Sequence, residues 1–432
     1  MSNFLEQAQV AADRQNWPGL VECLQQVTAD GSKPQEQHIL EQAVSLAIEA
    51  LKWGDFQDRW EIAKVLPNLG NGAIAPLIAV LEDEDADTEP RWFAARILGK
   101  FDHPEVIQAL VESIKNSDEE LSQIAAETLG NLGQTAIESL ANLLQQKDSR
   151  QFATAALAQI RRTETIAPLL SVVGDSQVAV RAAAIEALSS FHDSRIPPVL
   201  VAALKDPATA VRKEAVRALG VRAYLDAELD LVNLLKPLLS DIRLEVCQQA
   251  AIAIGRVKTD AAATALFELL RSPTTPVELQ IETVRALSWM ETATALAYLH
   301  QTLMAQFPNI NSTVYQEIVT VLGRVEKLEL KAVAAEILID LLKTGHPAVQ
   351  EGVSKKSLAL GLGKLGDMRG LDALISMLGD TDSSVRLHCM AALKQLGAAE
   401  ARQKLENLVK QESLEPRLKQ GIAIALQELQ QN

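Results

Sequence analysis

One segment of this chain is written twice, 31 residues apart. Asp175, Arg181 and Leu188 return as Asp206, Arg212 and Leu219, and the same offsets of six and seven recur at Asp380, Arg386 and Leu393. Seven residues make two helical turns, so each Arg and its Leu share one helix face. A helix-spaced unit recurring about every 30 residues marks stacked helical repeats, because each helix pair leaves an apolar side that only the next pair covers.

Further copies are visible in strings of small apolar residues that close on Gly99, Gly130, Gly220, Gly255, Gly323 and Gly363. Ala in these strings predicts close helix approach. The terminal Gly predicts a helix end in which the chain turns back through a left-handed residue. Asp102-His-Pro104, Asp206-Pro207, Ser272-Pro273 and His346-Pro347 read as helix starts, and the 82–87 acidic run reads as a solvated capping turn. About eleven units are expected, beginning near Phe56, Asp87, Glu119, Ser149, Gln177, Ala208, Ile242, Thr275, Asn311, Glu351 and Ser383. The unit at Asn311 is the longest and opens on an irregular loop. Residues 1–54 lack the Asp–Arg signature and are expected to form a helical cap, with a loop at 31–34; 55–413 form the repeats, and 414–432 a closing helix. The expected fold is therefore all-α, a right-handed solenoid of helix pairs with second helices lining its concave side. A composition of 48% hydrophobic but only 4% aromatic residues suits thin helix layers packed with Ala, Leu, Ile and Val.

Charge and motif content narrow the function. A net charge of −15 opposes a phosphate-tracking surface, so nucleic acid and anionic lipid are not expected partners. No apolar run is long enough for a membrane helix, no secretory leader opens the sequence, and the Asn311-Ser-Thr triplet is read as coincidence. Cys23, Cys247 and Cys389 are widely spaced, which suggests free thiols in a reducing, cytoplasmic setting. His38, His103, His192, His300, His346 and His388 lack metal-ligand spacing, and His103 and His192 read as turn or capping residues. The Gly361-Leu-Gly-Lys-Leu-Gly366 string imitates a nucleotide fingerprint but ends a repeat helix rather than following a strand. No catalytic residue, metal or cofactor is expected.

The Asp–Arg–Leu frame resembles HEAT repeats, and more narrowly the short HEAT-like repeats of cyanobacterial phycobilisome lyases. That resemblance implies that turn Asp and helix Arg form an intra- or inter-repeat ladder, with Asp175/Arg181, Asp206/Arg212 and Asp380/Arg386 as its members here. The string Pro90-Arg91-Trp92-Phe93-Ala94-Ala95-Arg96-Ile97-Leu98-Gly99 is similar to the aromatic-rich helix of E/F-type lyases, which attach bilins to phycobiliprotein cysteines. It keeps one aromatic pair, the alanines and Leu-Gly, and places Arg96-Ile97 where the second aromatic pair would stand.

Aromatic residues gather between Trp53 and Phe101 although they are scarce elsewhere. Trp60 and Trp92 stand 32 residues apart, about one repeat, and should occupy equivalent faces of neighbouring units. The simpler reading seals the junction between cap and repeats. The functional reading is a binding patch of Trp60, Trp92 and Phe93, with Arg59, Arg91 and Arg96 available to anionic groups. The leading expectation is a non-catalytic scaffold for a protein partner, which the resemblance would place in phycobilisome or photosynthetic assembly or turnover. The alternative is a bilin lyase whose groove presents the bilin to a phycobiliprotein.

Overall fold

The computed structural model describes residues 2–29, 37–305, 310–411 and 413–430. Among them regular structure is entirely helical, with no strand. The loop expected at 31–34 and the first four residues of the one expected at 306–311 lie outside the described residues.

The chain divides into two compact units, Met1–Glu214 and Ala215–Asn432. In the first, α1 (Ser2–Asp13), α2 (Trp17–Ala29) and α3 (Gln37–Trp53) pack on one another around Leu20, Leu24 and Leu51. Five pairs follow: α4 (Phe56–Val65) with α5 (Ile74–Leu81), α6 (Thr88–Leu98) with α7 (Pro104–Asn116), α8 (Glu119–Leu132) with α9 (Ile137–Leu143), α10 (Arg150–Gln159) with α11 (Ile166–Ser171), and α12 (Val178–Leu188) with α13 (Ile196–Ala203). The first members, α4 to α12, lie side by side in succession and are called ladder helices below; the second members flank them. The unit boundary falls within α14 (Thr209–Gly220), the next ladder helix.

The second unit opens with short α15 (Asp226–Leu229) and α16 (Leu231–Leu235). Its pairs are α17 (Leu244–Val257) with α18 (Asp260–Arg271), α19 (Val277–Met290) with α20 (Ala293–Ala305), α21 (Ser312–Leu322) with α22 (Leu328–Lys343), and α23 (Gly352–Leu365) with α24 (Leu371–Ser376). α25 (Ser383–Leu408) leaves helical geometry at Gly397, so it holds a ladder helix and a shorter successor; α26 (Pro416–Gln430) packs against it. The unit starts read from sequence fall within two residues of the eleven ladder-helix starts. The Asp–Arg pattern therefore locates the ladder helix of each pair, and each spacing runs from one ladder helix to the next.

Side-chain caps explain many starts: Asp118 accepts from Leu121 N (2.9 Å), Asn311 from Val314 N (3.1 Å), and Asp55 and Asp58 cap reciprocally. Asp87, expected to cap α6, makes no such bond.

The recurring glycines correct the sequence reading. Gly99 and Gly323 have right-handed backbone (φ −63° and −70°), and Gly130, Gly220, Gly255 and Gly363 lie inside helices. None of the six is left-handed; among the glycines that role belongs to Gly70, Gly133, Gly345 and Gly366. Close approach is what selects glycine. A Cβ on Gly220 would stand 2.8 Å from the Ala253 Cβ, and one on Gly323 would stand 2.5 Å from the Gly361 Cα. The nucleotide-like string is explained in the same way: Gly361 faces Gly323, Gly363 faces Ala392, and Gly366 closes the helix in left-handed geometry.

Candidate functional site

Two sets of residues singled out by the sequence prove to have different geometry. The first is the ladder. Arg181 donates from Nε and Nη2 to both Asp206 oxygens (2.8 Å each), a bidentate pair reaching one repeat forward. Its Nη1 donates to the Asp175 backbone carbonyl at 2.7 Å, not to the Asp175 carboxylate. That carboxylate is paired instead with Arg150 of the preceding repeat. Arg212 and Arg386 likewise reach the backbone carbonyls of Asp206 (2.9 Å) and Asp380 (2.7 Å), while Lys355 Nζ meets the Asp380 carboxylate at 2.6 Å. The same-repeat Asp–Arg pairs are thus side chain to main chain, and the carboxylates look backward to the previous cation.

Each of these carboxylates also accepts a backbone N–H two residues on, from Gln177 (2.7 Å), Ala208 (2.8 Å) and Asp382 (2.9 Å). The Arg181 hydrogen bonds hold the Asp206 carboxyl below the usual aspartate range. For Asp175, burial pushes upward, but the Gln177 N–H and Arg150 outweigh it and the net shift is downward.

The second set is the aromatic patch. Trp60 on α4 and Trp92 on α6 are each the fifth residue of their helix, and the repeat brings both to one cleft of about 530 Å³ over α4, α6 and α8. Trp60 is 44% exposed and Phe56 55% exposed, whereas Phe93 is 1% exposed and forms the floor with Ile97. Phe56 stacks on Trp60 (centroids 6.5 Å) and meets Phe93 edge-on (5.5 Å); Trp92 also meets Phe93 edge-on (5.0 Å). The Arg96 guanidinium lies over Trp92 at 4.7 Å, and Lys64 Nζ lies over Trp60 at 5.8 Å.

Of the six residues expected there, Trp60, Trp92, Phe93 and Arg96 line the cleft. Arg59 and Arg91 do not. Arg59 is buried, donating to the Leu51 (2.9 Å) and Lys52 (3.1 Å) carbonyls and pairing with Glu89. Arg91 donates to the Leu81 carbonyl at 2.9 Å. Both are ladder residues, one helix step away from the indoles; Arg59 is buried, and Arg91 is half-buried with its Nε on a backbone carbonyl. Sequence reasoning missed Lys64, Lys100, Thr128 and Asn131, which supply the other polar side chains of the lining. The signal was present: Lys64 and Arg96 repeat the 32-residue spacing of the two tryptophans.

Elsewhere, His103 and His346 accept from the N–H of Glu105 (3.4 Å) and Ala348 (3.0 Å), as capping residues do. His388 bonds the Ser384 carbonyl (2.6 Å), and burial pushes its buried neighbour Cys389 up to about 12. That thiol is chemically quiet. Among the described residues, no helix is long and apolar enough to cross a membrane.

The model for HEAT repeats matches residues 74–151, 145–219, 196–279 and 351–427, more than half of the chain. The chain belongs to the HEAT-repeat family. A search of curated proteins finds no match. Among solved structures this HEAT-repeat protein is similar to importin beta, at 15% identity and TM-score 0.56 over 98% of this chain and 64% of that one. Kap95p, in a structure with RanGDP, gives 15% and 0.57 over 98% and 63%, and the Kap95:Nup1 complex 14% and 0.57 over 96% and 66%. The chain spans less than two-thirds of the length of these neighbours, and identity at this level speaks to the fold alone.

Proposed function

We propose that this HEAT-repeat protein is a non-catalytic scaffold that holds a protein partner against its ladder helices, with the α4–α6–α8 cleft as an anchoring point. The observation that carries this reading is the exposure of Phe56 and Trp60 beside a cleft with a buried apolar floor. Large aromatics in a pocket rimmed by polar groups are the usual anchors of protein interfaces. The fold agrees: Kap95p appears in solved structures with RanGDP and with Nup1. The resemblance noted above would place the partner in phycobilisome or photosynthetic assembly or turnover. The test compares capture from a cyanobacterial lysate by the wild-type chain and by Trp60→Ala/Trp92→Ala. A partner retained by the first and lost at least tenfold by the second supports the anchor; equal capture by both refutes it.

A second reading, a bilin lyase, draws support from the two indoles and three cations around one cleft. It asks for bare aromatic faces on which a tetrapyrrole could stack, and these are largely taken. Arg96 lies over Trp92 with the Phe93 edge against the same ring, and Phe56 and Lys64 approach Trp60. The fit to a bilin is poor, and visible absorbance acquired on co-expression with a bilin source would reverse that judgement.

A further inference from the structure

We infer that the α4–α6–α8 cleft recognises a short acidic peptide segment, its carboxylates held by Arg96 and Lys100 and an apolar side chain seated on Phe93 and Ile97. This rests on the scaffold reading and names the chemistry of the partner.

The charge distribution is what points there. The chain carries a net −15, yet the cleft lining contains Lys64, Arg96 and Lys100 and no carboxylate at all. Lys64 is held by Glu61 at 2.8 Å. Arg96 and Lys100 have no carboxylate within 4 Å among the described residues, and both are exposed. Some cations of the same unit are neutralised by protein carboxylates, Arg59 by Glu89, Arg150 by Asp175 and Arg181 by Asp206, while Arg161 and Arg162 share the unpaired state of Arg96 and Lys100 but line no cleft with an apolar floor.

The simpler account is the helix dipole, which favours cations at the end of α6. It explains a cation at one helix end. It does not explain a lining from three helices without an acid in a chain where acids outnumber bases 56 to 41. The Trp92 ring under the Arg96 guanidinium also restrains the fork, so less side-chain freedom is lost when a carboxylate binds.

The occupant must be short. Charges farther than a screening length of about 8 Å act weakly on the cleft, so its cations can hold a few carboxylates, while a long polyanion has to extend over a chain in which acids outnumber bases 56 to 41. The floor of Phe93 and Ile97 asks for an apolar residue between those carboxylates, which a peptide supplies and a phosphate backbone does not.

Selection of a random twelve-residue peptide display library on the full chain tests this. Sequences rich in Asp and Glu around an apolar residue are expected, with binding at least tenfold weaker to Arg96→Gln/Lys100→Gln and unchanged by Arg324→Gln, an exposed arginine just past the end of α21. Basic or neutral consensus sequences, no enrichment, or acidic peptides that bind the double variant equally well would overturn the inference. So would an oligothymidylate of twenty nucleotides bound with the same dependence on Arg96 and Lys100. Lysate capture that survives Arg96→Gln/Lys100→Gln but fails in Trp60→Ala/Trp92→Ala leaves the scaffold standing and removes only the acidic partner.

Discussion

The fourth residue of each ladder helix faces the same task in both units, but the two meet it differently. In the first unit the residue is Arg59, Arg91, Arg181 or Arg212, and each donates to a backbone carbonyl at the end of the preceding flanking segment. Ser122 does the same from α8, toward Ile114 O at 3.3 Å, and Arg150 from the first position of α10, toward Leu144 O at 2.6 Å. In the second unit the sequence at this place runs Cys247, Gln280, Tyr315, Lys355 and Arg386. Cys247 Sγ donates to Asp241 O (3.2 Å), Tyr315 packs edge-on against His346 (5.7 Å), and Lys355 meets the next repeat's Asp380. Arg386 repeats the first-unit arrangement, donating to Asp380 O at 2.7 Å, so what Cys247 and Arg386 share with the first unit is not a charge pair. It is the need to satisfy carbonyls orphaned where a helix ends, with the Asp–Arg pair as the solution that also ties one repeat to the next.

The widest gap between the units should appear on deleting that donor. Arg181→Ala leaves the nearly buried Asp206 carboxylate without its guanidinium and the Asp175 carbonyl without a partner. We expect a loss of about 3 kcal/mol, as for breaking a buried ion pair. Cys247→Ala removes only a weak thiol donor and should cost about 1 kcal/mol. Stacked repeats open locally, so hydrogen exchange over α12–α14 and over α17–α19 reads the two losses separately. Equal losses would mean that the ion pair adds nothing to the carbonyl contact.

Much of this was legible in the sequence, and the limits have physical causes. The period located all eleven ladder helices because Arg181, Arg212 and Arg386 occupy one helix position and their Leu partners share its face. It left open which Asp each Arg meets, because a side chain reaching back six residues or forward 25 has the same spacing signature. It placed Trp60 and Trp92 together, but assigned Arg59 and Arg91 to the patch because burial cannot be read from adjacency. The glycines were misread for a similar reason: local turn chemistry and tertiary crowding both select glycine. Gly323→Ala separates the two. Left-handed geometry is absent there, and an alanine would gain about 1 kcal/mol in helix propensity. The obstacle at 2.5 Å is the backbone of Gly361, which cannot rotate aside, so overpacking should prevail with a net loss of about 2 kcal/mol. Gly174, with nothing within 4 Å of its built Cβ, serves as the control, and its alanine should change stability by less than about 0.5 kcal/mol. A neutral Gly323→Ala would return these glycines to the role of helix ends.

The smallest effect concerns pH and bears on the same contrast. The Asp206 carboxyl is lowered first by its Arg181 hydrogen bonds, despite burial acting against the charged form. Asp175 and Asp380 are lowered on balance, with burial opposing and the Arg150 and Lys355 partners prevailing together with backbone N–H groups. A carboxyl lowered on folding stabilises the protein fully above its unfolded value, near 3.8, and that contribution fades as pH falls through the folded value. Stability of the α12–α14 region should thus be flat from pH 6 to about 4 on account of these groups and decline below. In Arg181→Ala the chief cause of the Asp206 shift is gone, so the decline should be shallower, because fewer protons are taken up on unfolding at a given pH. An acid limb of unchanged slope in that variant would show that the backbone N–H of Ala208, rather than the cation reaching from the repeat before, keeps Asp206 charged.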